Sequence, residues 1–141
     1  MIYFVGAGCG DPDLITVKGM KILQKADAIL YTGSLVPKKV LSWCKDDAII
    51  KDSQGMKYLE IFEFLDRYKD KIVARVHTGD PSVYSTIAKQ IEHLKQNNIE
   101  YKVIPGVSAA FGAAASLGIE YTIPGVSQTV VLTREIGRAH V

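Results

Sequence analysis

Ile72-Val-Ala-Arg-Val-His-Thr-Gly-Asp-Pro-Ser82 is a short β-branched run that ends in glycine, acid and proline. Residues 72–76 are apolar except for Arg75 and too few for a helix, as expected of a strand buried on both faces. Gly79 permits a backbone angle that other residues avoid. Asp80 can accept two hydrogen bonds, and Pro81 can open a helix. From Val83 the apolar positions step by four, four and three through Ile87, Ile91 and Leu94, the period of an amphipathic helix over 83–94. Strand, tight loop and helix in immediate succession form the repeating unit of a parallel α/β fold.

The same unit recurs on either side. Residues 2–5, 28–31, 48–50 and 101–104 are short, β-branched or aromatic, and apolar on both faces. Tyr58, Ile61, Phe62 and Leu65 follow a helical period, with Glu60, Glu63 and Asp66 on the outer side. The pattern predicts a doubly wound α/β domain, a five-stranded parallel sheet with helices on both faces. A further helix over 108–117 is mostly Ala and Gly, which suits either tight packing or close approach to a ligand. Gly118 is placed to end it. Residues 121–127 carry Pro124 and Gly125 and lead to a sixth strand-like run at 128–133. The expected organisation is a first domain over 1–118, then a connector and the first strand of a truncated second α/β domain over 119–134.

Residues 135–141 break this pattern and are expected to be a non-native tail. Ile136-Gly-Arg-Ala-His-Val141 is what the codons ATC GGA AGA GCA CAC GTC encode, a string resembling the start of a common sequencing adapter. His140 is therefore assigned to no site.

Composition narrows the function. The chain has 141 residues, 48% hydrophobic and 23% charged, which is enough for one domain with a core and incompatible with a disordered chain or a rod. A net charge of +2 without any concentrated basic stretch argues against nucleic acid as a partner. No apolar run approaches the ~20 residues that span a bilayer, and the N-terminus lacks the basic region of a signal peptide. A soluble, cytoplasmic chain with no membrane partner is expected. Cys9 and Cys44 form no CxxC and have no nearby His, which argues for a reducing compartment and against zinc or a disulfide framework.

Ligands of doubly wound sheets bind beyond the carboxyl ends of the strands. There the first loop, Gly6-Ala-Gly-Cys-Gly-Asp-Pro12, is spaced GxGxG rather than GxGxxG. The second strand ends at Tyr31-Thr-Gly33 with no acid for a ribose hydroxyl, so a nicotinamide enzyme is disfavoured. Asp80 is either a helix cap or a ligand contact, and His77 either a general base or a packed ring. Pro105-Gly-Val-Ser-Ala109 repeats the scheme of a rigid turn, a permissive glycine and a small-residue helix start. The chain lacks a P-loop, a Gly-x-Ser-x-Gly elbow and paired metal-ligating histidines, so covalent hydrolysis and metal catalysis are poorly supported.

Taken together, these loops resemble those of the tetrapyrrole methylases, in particular the corrin-pathway branch. The segments that carry the resemblance are Val5-Gly-Ala-Gly-Cys-Gly-Asp-Pro-Asp-Leu-Ile-Thr-Val-Lys-Gly19, Tyr31-Thr-Gly-Ser-Leu-Val36, Val76-His-Thr-Gly-Asp-Pro-Ser82, Pro105-Gly-Val-Ser108 and Ser127-Gln-Thr-Val-Val-Leu-Thr-Arg134. Each alone is weak; five in order are specific. The resemblance implies a two-domain, homodimeric methyltransferase using S-adenosylmethionine (SAM) on a precorrin-type tetrapyrrole. It implies that Thr78, Gly79, Asp80, Val83, Ser108 and Ala109 contact SAM. The first glycine loop, with Gly8, would border the substrate trough. Ser34, Asp52, Ser53 and Met56, on loops at the same sheet edge, are the other trough candidates. Lys38, Lys39 and Lys57 are candidates for the substrate carboxylates or simply solvated surface lysines. Two departures stand out: Cys9 replaces the usual proline, and Gly33 stands where uroporphyrinogen-type members carry an acid. The resemblance thus assigns no general base; the alternatives are another tetrapyrrole methylase, acting on uroporphyrinogen III or another precorrin, and a nucleotide-binding half-domain without catalysis.

Overall fold

A computed structural model describes residues 1–135; most of the expected tail, from Ile136 onward, lies outside the described residues. The elements run β1 (Ile2–Gly6), α1 (Val17–Lys25), β2 (Ala28–Tyr31), β3 (Ile49–Asp52), α2 (Tyr58–Arg67), β4 (Val73–His77), α3 (Ile87–Gln96), β5 (Tyr101–Ile104) and α4 (Ala109–Leu117). A 3-10 helix, Lys38–Trp43, lies between β2 and β3. The strands form one sheet in the order β3-β2-β4-β1-β5, with every pair parallel. Gly6 lies opposite His77, Val5 opposite Ile104 and Tyr31 opposite Asp52, so the carboxyl ends of the strands come out along one edge.

Both faces are covered, as the two-sided apolar runs require. On one face Val5, Ile29, Ala74, Val76 and Ile104 pack with Ile15, Leu23, Val36 and Val40. On the other, Ile2, Phe4, Ala28, Leu30 and Val73 pack with Ile61, Phe64 and Leu65 of α2 and Leu94 of α3. Local chemistry sets the helix starts. Thr16 Oγ1 accepts the Gly19 N–H at 3.0 Å to open α1, and Glu60 reaches back to the Lys57 N–H at 2.8 Å to open α2.

Three expectations are corrected. The third strand is Ile49–Asp52 rather than 48–50, and it is exposed along its length, because an edge strand has a neighbour on one side only. The helix expected over 83–94 forms α3 only from Ile87; Pro81 opens a turn instead, and Tyr84 (φ 55°) and Thr86 (φ 54°) adopt left-handed backbone that no helix can pass through. Residues 128–133 form no strand, because a strand exists only as a ladder with a neighbour and none of the described residues pairs with them. The small-residue helix does end as expected, with Gly118 at φ 65°.

The chain divides into two compact units, Met1–Ala109 and Ala110–Val141, with the division at the first residue of α4. Within the second unit, Ile123 and Ser127 close a turn around Pro124 and Gly125.

Candidate functional site

Three strand ends meet at the carboxyl edge of the first unit through glycine. A Cβ on Gly6 would lie 2.6 Å from Gly106 Cα and 2.7 Å from Gly79 O. A Cβ on Gly106 would lie 2.7 Å from Gly6 Cα and would overlap the Gly79 carbonyl. Only glycine lets the ends of β1, β4 and β5 approach this closely. Gly8 and Gly79 then exchange backbone hydrogen bonds, Gly79 N–H to Gly8 O at 2.7 Å and Gly8 N–H to Gly79 O at 3.3 Å. The first glycine loop is thus bound to the His77–Ser82 loop, which explains its spacing without any phosphate.

Asp80 bridges the next pair of loops. Its Oδ2 accepts the Gly106 N–H at 2.9 Å, while Oδ1 accepts the Ser82 N–H at 2.8 Å and the Ser82 hydroxyl at 2.5 Å. Burial alone would raise its pKa, but the hydrogen bonds from the Ser82 side chain, Gly106 N–H and Ser82 N–H outweigh it and hold the carboxyl below its ordinary value. Asp80 is therefore neither the N-cap of α3 nor a carboxylate with an idle oxygen; it fixes the turn that carries Thr78, Gly79 and Val83. Gly79, at φ 62°, faces Ser108 Cα and Ala109 N at 3.6 and 3.9 Å from the position its Cβ would take. The six residues expected at the cofactor therefore come from two adjoining loops.

Of the trough candidates Gly8 lies after β1, bound to Gly79, and the other four lie at or beyond the ends of β2 and β3. Asp52 Oδ1 accepts the N–H groups of Gly33 and Gln54, each at 2.8 Å. Ser53 is buried; its hydroxyl donates to Tyr31 O at 3.1 Å and lies 3.4 Å from Thr32 Oγ1, so it ties the loops rather than facing solvent. Met56 follows in the same turn, its N–H on Ser53 O at 3.0 Å, and Ser34 is exposed in the turn after β2. Lys38, Lys39 and Lys57 are exposed and form no salt bridge among the described residues.

His77 and Arg75 lie behind this edge. His77 is 4% exposed and stacks on Phe4 with ring centroids 6.0 Å apart. Burial, helped by the Arg75 charge, pushes its pKa down to about 3, so it is a neutral packed ring rather than a base. Arg75 donates to Leu30 O at 3.2 Å and Gln90 Oε1 at 3.3 Å; burial lowers its pKa to about 10, opposed by the Asp52 charge. Both cysteines are free, and burial raises the Cys44 thiol to about 11. No helix of the described residues is long and apolar enough to cross a membrane, and no group of His, Cys, Asp and Glu among them could hold a metal ion.

Comparison with known proteins identifies this arrangement. The family model for Tetrapyrrole (Corrin/Porphyrin) Methylases matches residues 1–141. The chain belongs to the tetrapyrrole methylases. This methylase chain is 48% identical over 139 residues to the cobalt-precorrin-4 C(11)-methyltransferase of Methanocaldococcus jannaschii, covering 97% of the chain and 54% of that protein. It is 45% identical to the precorrin-4 C(11)-methyltransferase of Pseudomonas aeruginosa, covering 97% of the chain and 55% of that protein. The chain thus spans about half the length of the curated relatives it matches. It superimposes on the X-ray structure of a cobalt precorrin-4 methyltransferase with a TM-score of 0.93 at 46% identity, covering 98% of the chain and 59% of that structure. It superimposes on the Thermus thermophilus uroporphyrin-III C-methyltransferase complexed with S-adenosylhomocysteine with a TM-score of 0.73 at 30% identity, covering 91% and 52%.

Sequence reasoning marked Gly33 only as the place of a missing acid, and it missed Thr32 and the glycine crossing of Gly6 with Gly106. Gly33 leaves no local signal, because its φ is not positive and its reason lies on another strand.

Proposed function

We propose that this chain forms the SAM-facing and substrate-facing part of a C-methyltransferase acting at C11 of cobalt-precorrin-4 or precorrin-4. The observation that carries the reading is the pair of loops held by Asp80, which sets Gly79 against Ser108 and Ala109 at the carboxyl edge. The notch in front of Gly79 is one that a Cβ would fill. Backbone atoms of Val107, Ser108 and Ala109 lie 3.6–3.9 Å from that position, so a ligand can approach main chain there. Thr78, Gly79, Val83, Ser108 and Ala109 would hold SAM there, with Asp80 fixing their geometry.

When bound, SAM supplies an activated methyl group on a sulfonium. The chain's residues have to align the acceptor carbon and exclude water, effects worth several kcal/mol in total, on the order of those seen for well-oriented reactants. Gly8, Ser34, Asp52 and Met56 border the trough, with Ser53 as its internal tie. Lys38 and Lys39, at the start of the 3-10 helix after β2, and Lys57, at the start of α2, would meet peripheral carboxylates. We further propose that the chain works in the cytoplasm and within a homodimer, as the two-domain resemblance suggests.

The test supplies the chain, fused to the second half of the Methanocaldococcus jannaschii relative, with SAM and separately with cobalt-precorrin-4, precorrin-4 and uroporphyrinogen III. The new methyl is then located by NMR. Methylation at C11 is expected. Methylation of uroporphyrinogen at another ring position would overturn the C11 assignment, and saturable SAM binding without turnover on any acceptor would point to a nucleotide-binding half-domain.

A further inference from the structure

Asp52 and Gly33 occupy one volume. A Cβ on Gly33 would overlap Asp52 Oδ2 and lie 2.5 Å from its Cγ. Gly33 has no positive φ, so nothing in its backbone demands glycine. The residue is small because a carboxylate from the neighbouring strand takes the place of its side chain. That carboxylate is held by one oxygen only: Oδ1 accepts both N–H groups, and no described residue donates to Oδ2. Asp52 is exposed, at the last residue of β3, at the edge where ligands of such sheets bind.

Charge decides what Oδ2 can face. A substrate with many peripheral carboxylates would be repelled by another carboxylate. The favourable partner for a fixed anionic acceptor is an N–H donor. Resting on the proposed function, we infer that Asp52 is a substrate-orienting residue whose Oδ2 accepts a hydrogen bond from a pyrrole-type N–H of the tetrapyrrole, delivered from β3 into the space above Gly33. Its backbone bonds through Oδ1 fix the direction in which Oδ2 points.

The test is a titration of the 141-residue chain with uroporphyrinogen III, an octacarboxylate with pyrrole N–H donors, followed by amide NMR. The Gly33 and Gln54 signals should shift on binding. Asp52→Asn keeps an oxygen acceptor for both backbone N–H groups but turns the outer atom into a donor. It should weaken binding about tenfold, the size expected for one hydrogen bond to a charged group. The exchange Gly33→Asp with Asp52→Gly returns the carboxylate to the same volume from the other strand and should restore binding to within about threefold. S-adenosylhomocysteine binding, read at Gly79 and Ser108, should be the same in wild type, Asp52→Asn, Asp52→Gly and the exchange variant. Unchanged or tighter binding by Asp52→Asn, or an exchange variant no better than Asp52→Gly, would overturn the inference and leave the proposed function standing. Failure of the wild-type chain to bind uroporphyrinogen III at millimolar concentration would also overturn the inference, whereas the proposed function is decided by methyl transfer to cobalt-precorrin-4 or precorrin-4.

Discussion

Two carboxylates at the same sheet edge are built alike and used differently. Asp80, three residues past β4, and Asp52, at the end of β3, each accept the N–H of the residue two positions on and the N–H of a glycine in the neighbouring loop. Asp80 spends both oxygens and adds the Ser82 hydroxyl. Asp52 makes both its bonds with Oδ1. The glycines differ in the same sense. Gly106 is hemmed in by backbone from two other strands, whereas Gly33 is hemmed in by a side chain. One pair of loops is fixed frame, and the other is a frame with an acceptor left over.

Substitutions at the two sites should separate these roles. Gly106→Ala should have the largest effect, because its Cβ would meet the backbone of Gly6 and Gly79 and neither strand can yield. A loss of about 3 kcal/mol or more is expected in urea unfolding. Stability close to wild type would show that this crossing is loose. Asp80→Ala removes three bonds and leaves the Gly106 N–H without its partner, a loss of about 2–4 kcal/mol by the same measurement. Gly33→Ala should lose less, about 1–2 kcal/mol, because the Asp52 side chain can swing aside. That loss should shrink when Asp52 is also changed to Ser, and strict additivity in the double-mutant cycle would contradict the shared volume.

The last effect is in pH dependence. His77 is held neutral with a pKa of about 3 against an ordinary 6.5. Its contribution is complete above about pH 6.5 and drains away as pH falls toward 3, because the unfolded chain takes up a proton that the folded chain refuses. The limiting slope is about 1.4 kcal/mol per pH unit. His77→Phe, which keeps a ring against Phe4, should flatten the fall in melting temperature between pH 6 and 4.5. Below that range Asp80, whose folded pKa is depressed, withdraws its own stabilisation as it protonates. An unchanged profile in the variant would place the acid sensitivity elsewhere.

Much of this arrangement is legible along the chain. The β-branched run of β4 and the Gly79-Asp-Pro81 break are local signals, and they are enough to place the His77–Ser82 loop at a strand end. The period of α2, with its acids outside, is equally local. Other features are not. Helix period alone put Val83 into α3, and only the left-handed backbone at Tyr84 and Thr86 removes it. Apolar character alone made 128–133 a strand, whereas a ladder needs a neighbour. His77 has the same chemistry as a base or as a packed ring; its burial against Phe4 separates the two.

Sequence by itself determined the parallel α/β class, the loops at the strand ends and the tetrapyrrole methylase resemblance, because periodicity and short motifs are properties of contiguous residues. Tertiary structure alone decided which strands lie at the edges, why Gly6, Gly33 and Gly106 must be small, and which of two similar carboxylates keeps an oxygen free. Those properties arise where β1, β4 and β5, or β2 and β3, come together, and segments far apart in sequence share space only after the sheet has formed.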